Sequence, residues 1–200
     1  MAKIKLTKNE LKKQKDALKM YERYLPTLML KKQQLQMEIR VVEGKITRLE
    51  ETKKQVQEKA TPWIAVFGET GICTADLIRV QQVHTERGNI AGVDIPLYKG
   101  VDLWVAPYDV LRTPLWLDAA ISLLCQILEL DMEIRVLREQ QKRLEQELRT
   151  TSQRVNLFEK VKIPETKANI KKIRVYLGDQ QTAAVVRGKI AKRAMERVSQ

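Results

Sequence analysis

Residues 116–158 read WLDAAISLLCQILELDMEIRVLREQQKRLEQELRTTSQRVNLF. Alternating steps of four and three land on Trp116, Ala120, Leu123, Ile127, Leu130, Ile134, Leu137, Gln141, Leu144, Leu148, Thr151, Val155 and Phe158, and only Gln141 and Thr151 are polar. A seven-residue repeat this long keeps one apolar seam on an α-helix only if the helix supercoils left-handed around a partner. Between the seam positions lie Arg135, Arg138, Glu139, Lys142, Arg143, Glu145, Glu147 and Arg149, a solvated surface of mixed charge. Thr113 as cap and Pro114 in the first turn predict the helix start. A second apolar row, Leu117, Ile121, Leu124 and Leu128, predicts burial on two sides near the base and on one side beyond about Asp131.

The N-terminal segment repeats the pattern. Steps of three and four from Leu11 give Gln14, Leu18, Tyr21, Leu25, Leu28, Lys32, Leu35, Ile39, Val42, Ile46, Leu49, Lys53, Val56 and Ala60 without a slip. At 1.5 Å per residue such a helix spans about 75–80 Å. Thr7 followed by Glu10 has the form of a capping box. Pro26 lies inside the pattern and predicts a kink or one loosened turn, since the seam keeps its phase on both sides. Pro62 marks the end of this arm.

From Thr61 to Thr113 the heptad stops, and Gly, Pro, Trp and Tyr concentrate. Trp63 to Ile78 predicts a short helix or two, broken near Gly68 and Gly71. Arg79–Glu86 reads as a strand, Arg87-Gly88-Asn89 as a turn, and Ile90–Tyr98 with Val101–Val105 as the returning strand of a β-hairpin. A hairpin alone is marginal in water, so it must pack on the helices or on another protein. After Phe158 the seam ends at Lys162-Ile163-Pro164, and a further helical stretch runs from Glu165 to Arg197 with small side chains toward its end.

The expected fold is mainly α: a long antiparallel two-helix left-handed coiled coil of N- and C-terminal arms, with a small central insert of short helices and a β-hairpin. The arms are 1–61 and 114–200, the latter with a break near 163–164, and the insert is 62–113. Folding back brings residues 1–35, with ten Lys/Arg against three acids, beside residues 160–200, with eleven against three. Those two segments carry more than the whole net charge of +12, the middle of the chain being slightly acidic, and predict a basic pole away from the insert.

Charged residues make up 31% of the chain and aromatics 5%, with eight Gly and six Pro, a balance that reads as long helices. No apolar run is long enough to span a bilayer, and Met1–Lys15 lacks the apolar core of a signal peptide, so the expectation is a soluble cytosolic protein. Cys73 and Cys125 are too few for a disulfide framework or a zinc site and read as free, buried thiols. The Gly68-Glu69-Thr70-Gly71 turn lacks the Gly-Lys-Ser/Thr ending of a phosphate loop. His84 is the single histidine, and Glu50-Glu51 lies on a solvated face. No nucleophile–base–orienter set is evident, so neither catalysis nor a metal or cofactor is expected. The basic ends fit nucleic-acid binding, although only Tyr21, Tyr24 and Tyr176 are there to stack on bases. They also fit insertion of a slim tip into a protein cavity. A prefoldin-like coiled-coil chaperone is a further alternative, but it wants apolar tips.

Three segments are more specific than the heptads: Lys8-Asn9-Glu10-Leu11, Thr151-Ser152-Gln153-Arg154-Val155-Asn156-Leu157-Phe158-Glu159, and Leu177-Gly178-Asp179-Gln180-Gln181-Thr182-Ala183-Ala184-Val185-Val186-Arg187-Gly188-Lys189. They closely resemble the D subunits of V-type (vacuolar and archaeal-type) ATPases, as does Asn89-Ile90-Ala91-Gly92-Val93 before Ile95-Pro96. The resemblance implies the non-catalytic central rotor shaft of a rotary ATPase, cytoplasmic and peripheral to the membrane. Its implied partners are the A and B subunits of the catalytic hexamer, the F subunit beside the shaft, and the d (or C) subunit on the ion-carrying membrane ring. Neither nucleic-acid binding nor direct membrane insertion is implied. On this reading Gln180, Gln181, Arg187, Lys189, Lys192 and Arg193 are the expected contacts to the head.

Overall fold

The computed structural model describes residues 4–67, 77–109, 114 and 116–198. Helix α1 is Lys8–Phe67. Strands β1 (Ile78–Ile90) and β2 (Val93–Val105) form one antiparallel hairpin. Helix α2 is Leu117–Asn156, a π-helical stretch follows over Leu157–Lys162, and helix α3 is Ile163–Val198. The mainly α fold with a central hairpin is as the periodicities predict. The Thr113 cap, the Gly68–Gly71 turn and Cys73 lie outside the described residues. Of the short helices expected across Trp63–Ile78, residues 63–67 continue α1, and 68–76 lie outside the described residues.

Pro62 acts more weakly than its sequence context implies, while Pro26, as expected, does not end the helix. Helix α1 runs through Pro26 and past Pro62, which therefore does not end it. A single missing N–H removes one hydrogen bond from a ladder of 60 residues, and the seam on either side of Pro26 holds the helix together. The Thr27 hydroxyl donates to the Tyr24 carbonyl (2.8 Å) in that turn. At the start of α1, Glu10 N–H donates to Thr7 Oγ1 (3.3 Å) and Leu11 N–H to the Thr7 carbonyl (3.0 Å). The Glu10 carboxylate accepts from Gln14 Nε2 (2.9 Å), so this is a side-chain cap more than a reciprocal box. Pro114 precedes α2 instead of opening it, and its carbonyl accepts from Leu117 N–H (3.0 Å).

The chain forms two compact units, 32–149 and 1–31 with 150–200. In the unit 32–149, Leu35, Ile39, Val42 and Ile46 of α1 meet Ile134, Leu137 and Leu144 of α2 in one buried cluster. Flanking contacts run antiparallel: Lys53 to Asp131 (2.7 Å), Glu50 to Arg138 (2.7 Å) and Glu43 to Gln141 (3.2 Å). Lys53 is partly buried and the other two pairs are solvated, so they set register more than stability. Burying the seam side chains supplies the energy, at about 1.5–3 kcal/mol for each Leu, Ile or Val fully removed from water.

The hairpin belongs to the same core. Its open end packs Ile78 against Leu117 and Ile121, and its turn end adds Ile95 to the seam cluster. Near the turn, the Asp94 carbonyl accepts from Arg143 (3.3 Å) and the Pro96 carbonyl from Gln140 (2.5 Å). The strands therefore lie along α2. Beyond Asp131, α2 is consequently buried on two sides, not one: Val136 is 9% and Gln140 5% exposed. The turn is Ala91-Gly92, with φ of 52° and 78°, and not Arg87-Gly88-Asn89. Two consecutive positive φ values match the right-handed twist of a two-residue hairpin loop. Asn89 contributes from the strand, accepting from Gly92 N–H (3.0 Å) and donating to Asp94 Oδ1 (2.8 Å). Gly88 lies against Leu97, whose side chain would have to move for a Cβ there, 2.7 Å from its Cδ1.

In the unit 1–31 with 150–200, the Tyr21 and Phe158 rings lie 5.1 Å apart and Lys167 pairs with Glu22 at 3.1 Å. The buried positions of the C-terminal strand of this pair are Thr151, Val155, Thr166, Ile170 and Ile173. Steps of four and three from Val155 and Phe158 would reach 165, 169 and 172, one residue short of the positions that are buried. The π-helical stretch absorbs that extra residue, with Ile163 N–H bonding five residues back to the Phe158 carbonyl. One added residue in an α-helix rotates a face by about 100°, and the wider turns cancel it. The expected break at 163–164 is thus a slip of the seam by one residue, within a helical backbone that continues through Pro164.

Leu144→Ala removes a fully buried seam side chain and is expected to cost about 2–5 kcal/mol, read from urea unfolding followed by circular dichroism. Deleting Glu159 from the π stretch is expected to convert it to α-helix with the seam in phase and the helicity retained. Inserting one Ala after Glu159 is expected to lower the unfolding midpoint.

Candidate partner-binding surface

Every described side chain from Gly178 to Arg197 is exposed, the last half-buried residue being Leu177. The apolar ones are open as well: Val185 is 59%, Ile190 62% and Met195 76% exposed. The described side chains of this segment of α3 are therefore not buried against the rest of the chain. Neither Gly178 nor Gly188 has an atom within 4 Å of where a Cβ would stand. Each glycine lowers helix stability by about 1 kcal/mol relative to alanine, with no packing inside the chain to offset it.

All six residues expected to contact the head lie on this segment and are exposed. At 3.6 residues per turn, Gln180 and Arg187 share one face, and Lys189 and Arg193 share another one turn apart. Gln181 and Lys192 lie on a third. The helix presents them around its circumference. Gln180 Nε2 donates to Tyr176 Oη (3.3 Å), and Thr182 Oγ1 donates to the Gly178 carbonyl (3.1 Å).

Two grooves have no counterpart in the seam pattern. One, of about 700 Å³, lies between α1 and α3 and is lined by Lys15, Leu18, Lys19, Glu22, Lys167, Ile170, Lys171, Arg174 and Val175. Its cations recur at helical spacing on each arm, which is the signal that marks them, but their convergence depends on the pairing of the arms. The other, of about 540 Å³, runs between the hairpin and α2 over Val83, Pro96, Met132 and Val136, with Arg135, Lys142 and the paired Arg138 and Arg143 at its edges.

The titratable groups make local pairs. His84 Nε2 lies 2.7 Å from Asp102 Oδ2 on the exposed hairpin. Lys99 pairs with Glu86 (2.8 Å), which holds the carboxyl below and the ammonium above their usual ranges. The Tyr108 hydroxyl donates to Asp118, which raises its pKa. Burial, and then the charge of Glu129, raise that of the half-buried Cys125 thiol. Among the described residues no group of three His, Cys, Asp or Glu is placed to hold a metal ion.

The family model for the ATP synthase D subunit matches residues 10–193. The V-type ATP synthase D subunit of Borreliella burgdorferi is 53% identical over 197 residues, which cover 98% of this chain and 96% of that protein. The protein of the same name from Chlamydia pneumoniae is 37% identical over 196 residues, 96% of this chain and 93% of its own length. The segments with the long motifs, at Thr151–Glu159 and Leu177–Lys189, fall within the matched region.

A single helix of about twenty residues is marginal in water without a packed face. Backbone amides of 178–198 in the isolated chain are therefore expected to exchange with deuterium much faster than those of 134–173. Hydrogen-exchange mass spectrometry checks this, and equal protection in the two stretches would contradict it.

Proposed function

Because this chain belongs to the family of ATP synthase D subunits, we propose that it is the central-stalk rotor of a V-type rotary ATPase or ATP synthase. It transmits torque between the A/B catalytic head and the ion-translocating membrane ring. The observation that carries this reading is the arrangement of long helices paired through apolar seams and ending in an exposed, small-residue C-terminal segment.

The mechanism follows from what such a part must do. A helix pair with a shared core resists twisting and bending better than one helix, because relative sliding of the two would open the seam. Its surface is asymmetric, so each angular position presents different side chains to three equivalent catalytic interfaces. The slim end segment turns within the ring of A and B subunits. There Gln180, Gln181, Arg187, Lys189, Lys192 and Arg193 meet polar and acidic groups of the head through solvated contacts that form and break as it rotates. The F subunit binds beside the helix pair, and the d (or C) subunit joins the shaft to the membrane ring.

The chain itself is non-catalytic on this reading, and nucleotide chemistry belongs to the hexamer. It is cytoplasmic and peripheral to the membrane, bound through its partners. No described helix is long and apolar enough to cross a membrane. Nucleic acid is not a partner.

Reconstitution with the A/B head and the F subunit tests this reading. A complex containing both and stepwise rotation during hydrolysis are expected. Replacing Arg187, Lys189, Lys192 and Arg193 with Ala is expected to weaken the coupling of hydrolysis to rotation, measured as torque per step. Unchanged assembly and torque in that variant would sink the assignment of these four residues.

A further inference from the structure

The groove between α1 and α3 has an unusual charge balance. Five of its nine lining residues are cations and one is an acid. Glu22 is committed to Lys167. Lys15, Lys19, Lys171 and Arg174 are exposed, and none has a carboxylate partner among the described residues. Lys15 and Lys19 are one turn apart on α1, and Lys171 and Arg174 are one turn apart on α3. Two cationic rows thus face each other across a floor of Leu18, Ile170 and Val175, of which Val175 is 58% exposed. Exposed cations lining one groove repel one another and gain from an anion laid between them.

The floor decides what kind of anion. A polyphosphate or a nucleic-acid backbone carries charge but nothing apolar to bury on Leu18 and Val175. No aromatic ring lines the groove for a base to stack on. A protein segment with carboxylates along both edges and aliphatic side chains down the middle satisfies rows and floor together.

We propose that this groove is a docking site for an acidic amphipathic protein segment, carboxylates on Lys15, Lys19, Lys171 and Arg174, and an aliphatic side chain on Val175. It deepens the shaft reading by naming the chemistry that a stationary neighbour offers, and it rests on that reading for the neighbour's identity. It is separate from the contacts of the end segment, whose residues begin at Gln180.

The test uses the full chain and a fluorescent synthetic 18-residue helical peptide, with Leu at three- and four-residue spacing and Glu on both flanks. Wild-type chain is expected to bind it with an affinity that falls as salt rises. The variant Lys15→Gln/Lys19→Gln/Lys171→Gln/Arg174→Gln is expected to bind at least about tenfold more weakly, and Val175→Ser more weakly by a smaller factor. The same peptide with Gln for Glu is expected not to bind. All the altered side chains are exposed, and matching thermal melts by circular dichroism confirm that the variants fold. Equal affinity in the quadruple variant overturns the proposal. So does tighter binding of inorganic polyphosphate or of poly(U) RNA with no effect of Val175→Ser, which assigns the groove to polyanions. The peptide measurement needs no head complex, so its failure is distinct from a failure of the reconstituted rotor.

Discussion

An apolar seam on a long helix is a liability until a second seam faces it. The Leu35–Ile46 stretch of α1 and the Ile134–Leu144 stretch of α2 cover each other, and most other features follow from their contact. The antiparallel direction follows because one chain must turn back to bring them together. The hairpin has its place because the turn end delivers Ile95 to the same cluster. The ion pairs at the seam edges, such as Lys53 with Asp131, sit where register puts them. The more exposed of them, such as Glu50 with Arg138, lose most of their strength to water.

Where the seam must survive an irregularity, the backbone bends its rules to keep the apolar face aimed. Six π-helical residues carry α2 into α3 without turning Thr166, Ile170 and Ile173 away from their partner helix. The wider turns cost hydrogen-bond geometry, and continued burial of the face offsets that. Where the described side chains are no longer buried, from Gly178 onward, the side chains shrink and the cations ring the helix. Exposure of that segment within the chain and family membership together support a surface made for other subunits.

Much of this was legible in the sequence because seam periodicity is a local property. Leu35, Val42, Leu144 and Val155 were all placed on the correct face by counting alone. The hairpin strands were legible for the same reason, through their β-branched and aromatic residues. Its turn was not, because Ala91 adopts a positive φ that an alanine seldom takes, while Gly88-Asn89 has the usual composition of a turn three residues early. The π stretch was hidden because a one-residue slip in a heptad looks like an ending when Pro164 follows it. Burial of Val136 and Gln140 depends on where the hairpin lies, which no local pattern specifies. The basic groove needed both arms at once: Lys15 and Lys19 gain meaning only beside Lys171 and Arg174.

The hairpin braces only one flank of α2, with contacts from Ile78 near Leu117 to Asp94 near Arg143. A beam stiffened along one side has unequal flexural rigidity. The unit 32–149 therefore resists bowing in the plane that contains the hairpin and α2 more than at right angles to it. Its softest elastic mode has a fixed direction in the molecule's own frame, and any load that revolves about the helix axis meets a compliance that varies once per half turn.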